Sequence, residues 1–269
     1  MKKGYTLIME KDKLVRIVIP VYRSELKPFE QAALSNNMEK LGHYPVVFLK
    51  PDGVDLSPLL EQYPQADVLS VSDDWLGTRR GIQGYNDMMM SRRFYDMFAD
   101  YEYIMICHID AWIFRDEVAD WCRRGYDLVA APWPMKPRYG RFPLKQYLWL
   151  KRVLKPRRWI LHSQMFNRIG NGGLCLRRVQ AFADACDRYA DDIDYFNSRT
   201  DDLHNEDLFW ALVPKEFHYP DVKTALTFAF DLKPRLSYVM NHRQLPMGCH
   251  GFDKKSRRAF WQQFIPIPE

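Results

Sequence analysis

The sequence predicts an α/β fold: a single domain over 1–269 with a mostly parallel central sheet and helices on both faces. Two observations carry this. Residues 14–22, LVRIVIPVY, form an apolar run closed by Pro20 and a turn; a helical stretch from Glu25 to Leu41 follows, ended by Gly42, and then a second apolar run at 46–49. Farther on, YIMIC at 103–107 is a short run with no polar residue that leads directly into His108-Ile109-Asp110. Strand, helix, strand in sequence is the pattern of parallel sheets, whose strands are buried on both faces and therefore read as continuous apolar runs.

The remaining elements fit between these anchors. Residues 68–71 predict a short strand, and Gly81 and Gly84 precede a helix through Phe98 whose apolar face is Ile82, Tyr85, Met88 and Met89. Asp116 caps a helix over 118–123, and 128–133 is a strand stopped by Pro132 and Pro134. After Gly170, Gly172 and Gly173 come a strand at 174–176 and a helix from about Val179 to Tyr189. Asp191 to Asp202 is polar and reads as a loop, and Asn205 reads as the cap of a short helix with Glu206 and Asp207 in its first turn.

Composition narrows the class. At 269 residues, with 47% hydrophobic and 27% charged residues, the chain is globular rather than disordered or fibrous. The aromatic content of 14% is generous and is expected mainly in the core. Five cysteines at 107, 122, 175, 186 and 249 contain no CxxC pair, which argues against a thiolate zinc site and for buried, reduced thiols in a cytoplasmic protein. The first ten residues lead into no apolar stretch of signal-peptide length, and no run reaches the roughly 18 apolar residues needed to span a bilayer. No GxGxxG or GxxxxGK[ST] loop follows the first strand, which excludes the dinucleotide and P-loop modes of phosphate binding there.

The net charge of +5 is unevenly spread. Between Val129 and Ala183 there is no acidic residue, while twelve Lys and Arg fall there, leaving the rest of the chain at about −7. Ten of the twelve lie in 134–168, interleaved with Tyr147, Trp149 and Trp159. The stretch 134–169 therefore reads as a basic aromatic insertion carrying an amphipathic helix, expected either to pack one face on the body or to make peripheral contact with the inner face of an anionic membrane. Nucleic acid is not an expected partner, because the chain has no zinc finger, helix-turn-helix or RNP pattern.

Four groups of residues could carry chemistry. His108 and Asp110, two apart at a strand end, can face one ligand in the cleft beyond the strand termini, and a carboxylate there can hold a divalent cation that bridges phosphates; hydrogen bonding to neighbouring strands is the alternative. His250 sits among glycines in GCHGF, suited to Mn²⁺, Zn²⁺ or Fe²⁺, to a phosphate oxygen, or to a plain surface turn. Glu206 and Asp207 are placed either for helix-dipole stabilisation or for accepting a proton from a hydroxyl. Asn171-Gly172-Gly173 either makes room for a ligand or forms a tight turn.

Taken together, IPVYR at 19–23, GIQGYNDMMMSRRFYDMF at 81–98, YEYIMICHIDAWIF at 101–114, DLVAAPW at 127–133, GNGGLCLR at 170–177, HNEDLFW at 204–210 and GCHGF at 248–252 resemble the GT-A type of nucleotide-sugar glycosyltransferases. More closely, the chain resembles a bacterial uncharacterised-domain family of glycosyltransferase character, over about residues 14–265. The resemblance implies a GT-A-like, Rossmann-like domain that moves a sugar from a nucleoside diphosphate sugar to an acceptor hydroxyl of a glycan or lipid-linked saccharide. It implies donor contacts from Pro20, Val21, Tyr22, Arg23, Tyr85, His108, Ile109, Asp110, Gly172 and Gly173. It further implies Mn²⁺ or Mg²⁺ on Asp110, His250 and His108, and Asp207 or Glu206 as the acid that meets the acceptor. The family's Asp-x-Asp element here begins with His108, one carboxylate fewer. The alternative expectation is a non-catalytic nucleotide- or carbohydrate-binding protein with a degenerate transferase fold.

Overall fold

The computed structural model describes residues 13–77, 79–156 and 159–268. The amino-terminal residues, Arg157 and Arg158 therefore lie outside the described residues, and the expectations that touch them stand as sequence readings.

Six strands form the main sheet: β1 (Lys13–Pro20), β2 (Val46–Pro51), β3 (Asp67–Val71), β4 (Tyr101–Cys107), β6 (Leu128–Ala130) and β7 (Leu174–Arg178). Their spatial order is β3-β2-β1-β4-β7-β6. The four strands from β3 to β4 run parallel, and β7 runs antiparallel to both β4 and β6. Along β4 successive side chains enter opposite layers: Ile104 and Ile106 join one core, Tyr103, Met105 and Cys107 the other. The helices Ile82–Met89 and Val179–Arg188 cover the first face, and Pro28–Leu41 and Val118–Arg123 the second. Burial on both faces is why the central runs of β1, β2 and β4 are apolar, whereas the edge strand β3 is mostly exposed and begins with Asp67. The five cysteines are free and buried.

A second, three-stranded sheet is made by β5 (Ala111–Ile113), β8 (Ala229–Phe230) and β9 (Gly248–His250), with β9 in the middle. This sheet positions the site. Antiparallel pairing sets Ala111 opposite His250, and the Gly251 amide donates to the Asp110 carbonyl at 2.9 Å, so a residue near the chain end is held beside the end of β4.

The structure corrects several local readings. The first strand closes at Pro20, as the sequence reads, but the elements that follow differ. The expected long helix after Gly81 is two, Ile82–Met89 and Arg92–Asp96, and Ile82 is 57% exposed rather than part of a core face. Residues 191–197 are helical, within Ala190–Asn197, because Ile193 and Phe196, three apart, are both buried. Asn205 does not cap its own helix. Its Oδ1 accepts from Asn86 Nδ2, and Asn86 Oδ1 takes the Glu206 N–H at 3.1 Å, so the cap comes from another helix.

The basic insertion is present as the turn Pro137–Gly140, the helix Leu144–Leu154 and the turn His162–Gln164. An isolated bridge between Pro132 and Ile169 closes its base. Among the described residues no helix is long and apolar enough to cross a membrane.

Candidate active site

The end of β4 delivers the first residues. The His108 amide donates to the Gly173 carbonyl at 2.8 Å, extending the β4–β7 ladder by one step, and the chain then turns at Asp110 into β5. His108, Asp110 and His250 each offer one ligand atom, and these atoms all lie within 4.8 Å of one another. His250 Nε2 is 3.1 Å from Asp110 Oδ1. Burial, together with the charge on His250, drives His108 down to about 3, so its imidazole is neutral and keeps a lone pair. Its Nε2 lies 2.9 Å from the Tyr85 hydroxyl. Burial alone would raise the Asp110 carboxyl, but the adjacent His250 outweighs it and holds Asp110 well below the usual carboxylate range. Burial likewise opposes charge on His250, yet Asp110 and Asp231 carry it up to about 9.

Asn171, Gly172 and Gly173 shape the floor. Asn171 Oδ1 accepts from the Gly173 and Leu174 amides at 3.0 and 2.9 Å, which turns its Nδ2 toward His250 Nδ1, 3.2 Å away. Neither Gly172 nor Gly173 has positive φ, so the tight-turn explanation falls. Close approach explains both: a Cβ on Gly173 would lie 2.1 Å from His250 Nε2, and one on Gly172 2.2 Å from Glu206 Oε1. The cluster of one carboxylate and two imidazoles, its ligand atoms within 4.8 Å of one another, has the donor set of a divalent-cation site. Nitrogen donors suit Mn²⁺ better than Mg²⁺.

The two acids that open the helix Glu206–Leu212 separate into different roles. Glu206 is buried, and Arg177 Nη2 donates to its Oε2 at 2.9 Å, with side-chain exposures of 2% and 4%. Arg177 Nη1 also donates to the Tyr95 hydroxyl, so this pair ties β7 to two helices. Asp207 is only partly buried and lines the cleft. Burial, then the Glu206 charge, raise its carboxyl to about 7, although the Leu208 amide donates to its Oδ1 at 2.8 Å.

Three adjoining hollows follow the carboxyl ends of the parallel strands, where open α/β sheets bind ligands. One of about 250 Å³ contains Asp207, Gly172, Gly173 and Tyr85; one of about 510 Å³ contains Arg23, Ile109 and Asp110; His108, His250 and Lys254 line both. Tyr22 belongs to the second and also to a third, of about 350 Å³, with Pro51, Gly53 and Asp73. Of the expected donor contacts, Tyr22, Arg23, Tyr85, His108, Ile109, Asp110, Gly172 and Gly173 are thus at the cleft. Pro20 and Val21 are buried and line none of these hollows. Arg23 forms an ion pair with Glu30 as well.

Sequence reading missed Asp231. It is buried just after β8, pairs with Arg257, and places Oδ1 3.6 Å from His250 Nδ1. Only a lone acid after a two-residue apolar strand marks it in the sequence. Lys254 was missed as well, being one of many basic residues near the carboxyl end.

The fold and cleft define a GT-A-like α/β protein. Residues 65–250 match the family described as a protein of unknown function (DUF5672), and the chain belongs to that family. A comparison with curated proteins finds no match. Among solved structures, the galactosyltransferase LgtC in complex with donor and acceptor sugar analogs is similar at a TM-score of 0.53 and 11% identity, over 87% of this chain and 86% of that one. The bifunctional glycosyltransferase WbbM is similar at 0.52 and 12% identity, over 89% of this chain, which spans only 46% of WbbM. GlyE of Streptococcus pneumoniae TIGR4, a glycosyltransferase, is similar at 0.50 and 10% identity, over 93% of this chain and 60% of that one. At such identities the likeness establishes the fold.

Proposed function

We propose that the chain transfers a glycosyl group from a nucleoside diphosphate sugar to a hydroxyl of a glycan or lipid-linked saccharide. The observation that carries this reading is the joining of two chemistries in one cleft: the His108, Asp110 and His250 cluster lies between the hollow of Tyr22 and Arg23 and the hollow of Asp207. The likeness in fold to LgtC, WbbM and GlyE supports it.

In this reading the nucleotide lies along Tyr22 and the ends of β1 and β2, with its diphosphate toward Asp110. Asp110, His250 and His108 would hold Mn²⁺ or Mg²⁺, which supplies neutralisation of the charge that develops on the departing diphosphate. Lys254, lining both hollows, adds a fixed positive charge to the same oxygens. The donor sugar rests over Gly172 and Gly173, whose missing side chains let His250 and Glu206 pack directly against the backbone there. In an inverting transfer the acceptor hydroxyl gives its proton to the Asp207 carboxylate as its oxygen attacks the anomeric carbon, and the bond from that carbon to the diphosphate breaks. A pKa near 7 suits a group that must accept and then release a proton at neutral pH. Glu206, committed to Arg177, holds the helix start in place.

A thermal-shift panel of nucleotide sugars with and without Mn²⁺ tests the reading. One class of nucleotide sugar should raise Tm, and more so with Mn²⁺; no response to any member overturns it. The substitution of His108 for an acid favours one rival, a non-catalytic binding protein, which would show the shift without slow hydrolysis of the same donor.

A further inference from the structure

The helix Leu144–Leu154 buries none of its residues, yet half of it is apolar. Only Leu144 and Leu148 are half-covered, where the helix sits on the turn Pro137–Gly140. Around them Phe142 is 81% exposed, Leu154 72%, Trp149 64%, Trp159 62% and Val153 59%. Single exposed apolar residues are ordinary, but these five within residues 142–159, two of them tryptophans, mark a surface that meets something. An eleven-residue helix gains little stability in water without such a cover.

Charge identifies the cover. Lys145, Lys151, Arg152 and Lys155 are interleaved with the apolar side chains, and no acidic residue occurs between Val129 and Ala183. A second copy of the chain would bring two such cationic faces together. At the foot of the helix, the turn Pro137–Gly140 also borders a pocket of about 450 Å³ whose charged lining is entirely basic: Lys136, Arg138, Lys233 and Arg235. Tryptophan and aliphatic residues beside lysines and arginines, with a cationic pocket bordering the same turn, match a lipid bilayer with anionic headgroups.

We propose that the face formed by residues 134–156 and 159–168 docks on an anionic lipid surface, with Phe142, Trp149, Val153, Leu154 and Trp159 entering the interface and a headgroup phosphate seated among Lys136, Arg138, Lys233 and Arg235. The base of this segment adjoins the cleft. A Cβ on Gly170 would lie 2.4 Å from the Trp133 ring and 3.0 Å from the Asp207 carbonyl. Docking therefore presents the Asp207 side of the cleft to molecules anchored in the same membrane. That consequence rests on the transfer reading and selects a lipid-linked acceptor, whereas docking itself does not depend on it.

Co-sedimentation of the full chain with phosphatidylglycerol/phosphatidylcholine vesicles and with pure phosphatidylcholine vesicles, at low and high salt and without donor or acceptor, tests the docking. The chain should sediment with the anionic vesicles only, less at high salt. A Trp149→Ser/Leu154→Ser variant, and separately a Lys151→Glu/Arg152→Glu variant, should each bind roughly tenfold or more weakly while keeping the parental Tm, since these side chains are exposed. Lack of binding to anionic vesicles, or equal binding to neutral ones, overturns the proposal. So does self-association of the chain that the same substitutions abolish. Transfer activity is not read, so failure here is separate from failure of the transferase reading.

Discussion

Gly173 and His250 occupy one shared space: a Cβ on the glycine would lie 2.1 Å from His250 Nε2, the nitrogen that faces Asp110. The ladder bond from the His108 amide to the Gly173 carbonyl fixes the glycine, and pairing of β9 with β5 fixes the histidine. Neither backbone can retreat cheaply. Gly173→Ala should therefore push the His250 ring out of the cluster and weaken Mn²⁺ binding by about 10–100-fold, at a stability cost of about 1–3 kcal/mol. Electron paramagnetic resonance of free Mn²⁺ during titration measures the first and thermal unfolding the second. Unchanged Mn²⁺ affinity in the folded variant would place the cation elsewhere.

Asp231 acts on His250 from the other side. Asp231 Oδ1 lies 3.6 Å from His250 Nδ1, and a negative charge beside the ring strengthens Nε2 as a donor to a cation. Asp231→Asn should lower Mn²⁺ affinity by about 10–100-fold, and Asp231→Glu should recover part of it. Arg257, which pairs with Asp231, loses its counter-charge in the Asn variant, so Tm falls too. A drop in Tm with full Mn²⁺ affinity would mean that Asp231 serves Arg257 alone.

What could be read before the structure follows from how local each signal is. β1, β2 and β4 are apolar runs bounded by turns, and their order alone announces a parallel sheet. His108 and Asp110 read as a pair at one strand end and His250 as a residue of a glycine turn, and the resemblance to GT-A enzymes is what joins the three in the sequence. Their convergence depends on β5, β8 and β9, strands of two or three residues too short to show alternation. The antiparallel direction of β7 left no trace either, since a strand buried on both faces has the same composition in either direction. Glu206 and Asp207 could not be told apart for a related reason: only the position of Arg177, 29 residues earlier, decides which acid is paired.

That pairing yields opposite outcomes for neighbouring substitutions. Glu206→Gln leaves the buried Arg177 guanidinium without its counter-charge and should cost about 3–5 kcal/mol, seen as a fall in Tm of roughly 10 °C. Asp207→Asn removes a carboxylate with no cationic partner among its hydrogen bonds; it should match the parent's Tm near pH 4, exceed it at pH 7 and above, and lower kcat by about 10²–10⁴-fold at saturating donor and acceptor. Thermal unfolding and steady-state kinetics on the two variants separate the roles. Full turnover by Asp207→Asn would falsify its assignment as the proton acceptor.

The same carboxyl sets the pH response. Burial and the Glu206 charge lift Asp207 to about 7, so the group is protonated in the folded chain below that pH and accepts a proton only above it. Transfer should therefore rise with pH through about 7 and level off above, and the rise should vanish in whatever activity Asp207→Asn retains. Stability moves the other way. In the unfolded chain the carboxyl titrates near its ordinary value of 3.8, so between about 4 and 7 the folded state holds a proton that the unfolded state has released. This contribution is complete below the unfolded pKa and is lost as pH climbs through the folded one. Tm of the parent relative to Asp207→Asn should accordingly decline from pH 4 to pH 7, the interval over which activity grows; a parallel course for the two proteins would show that Asp207 titrates normally.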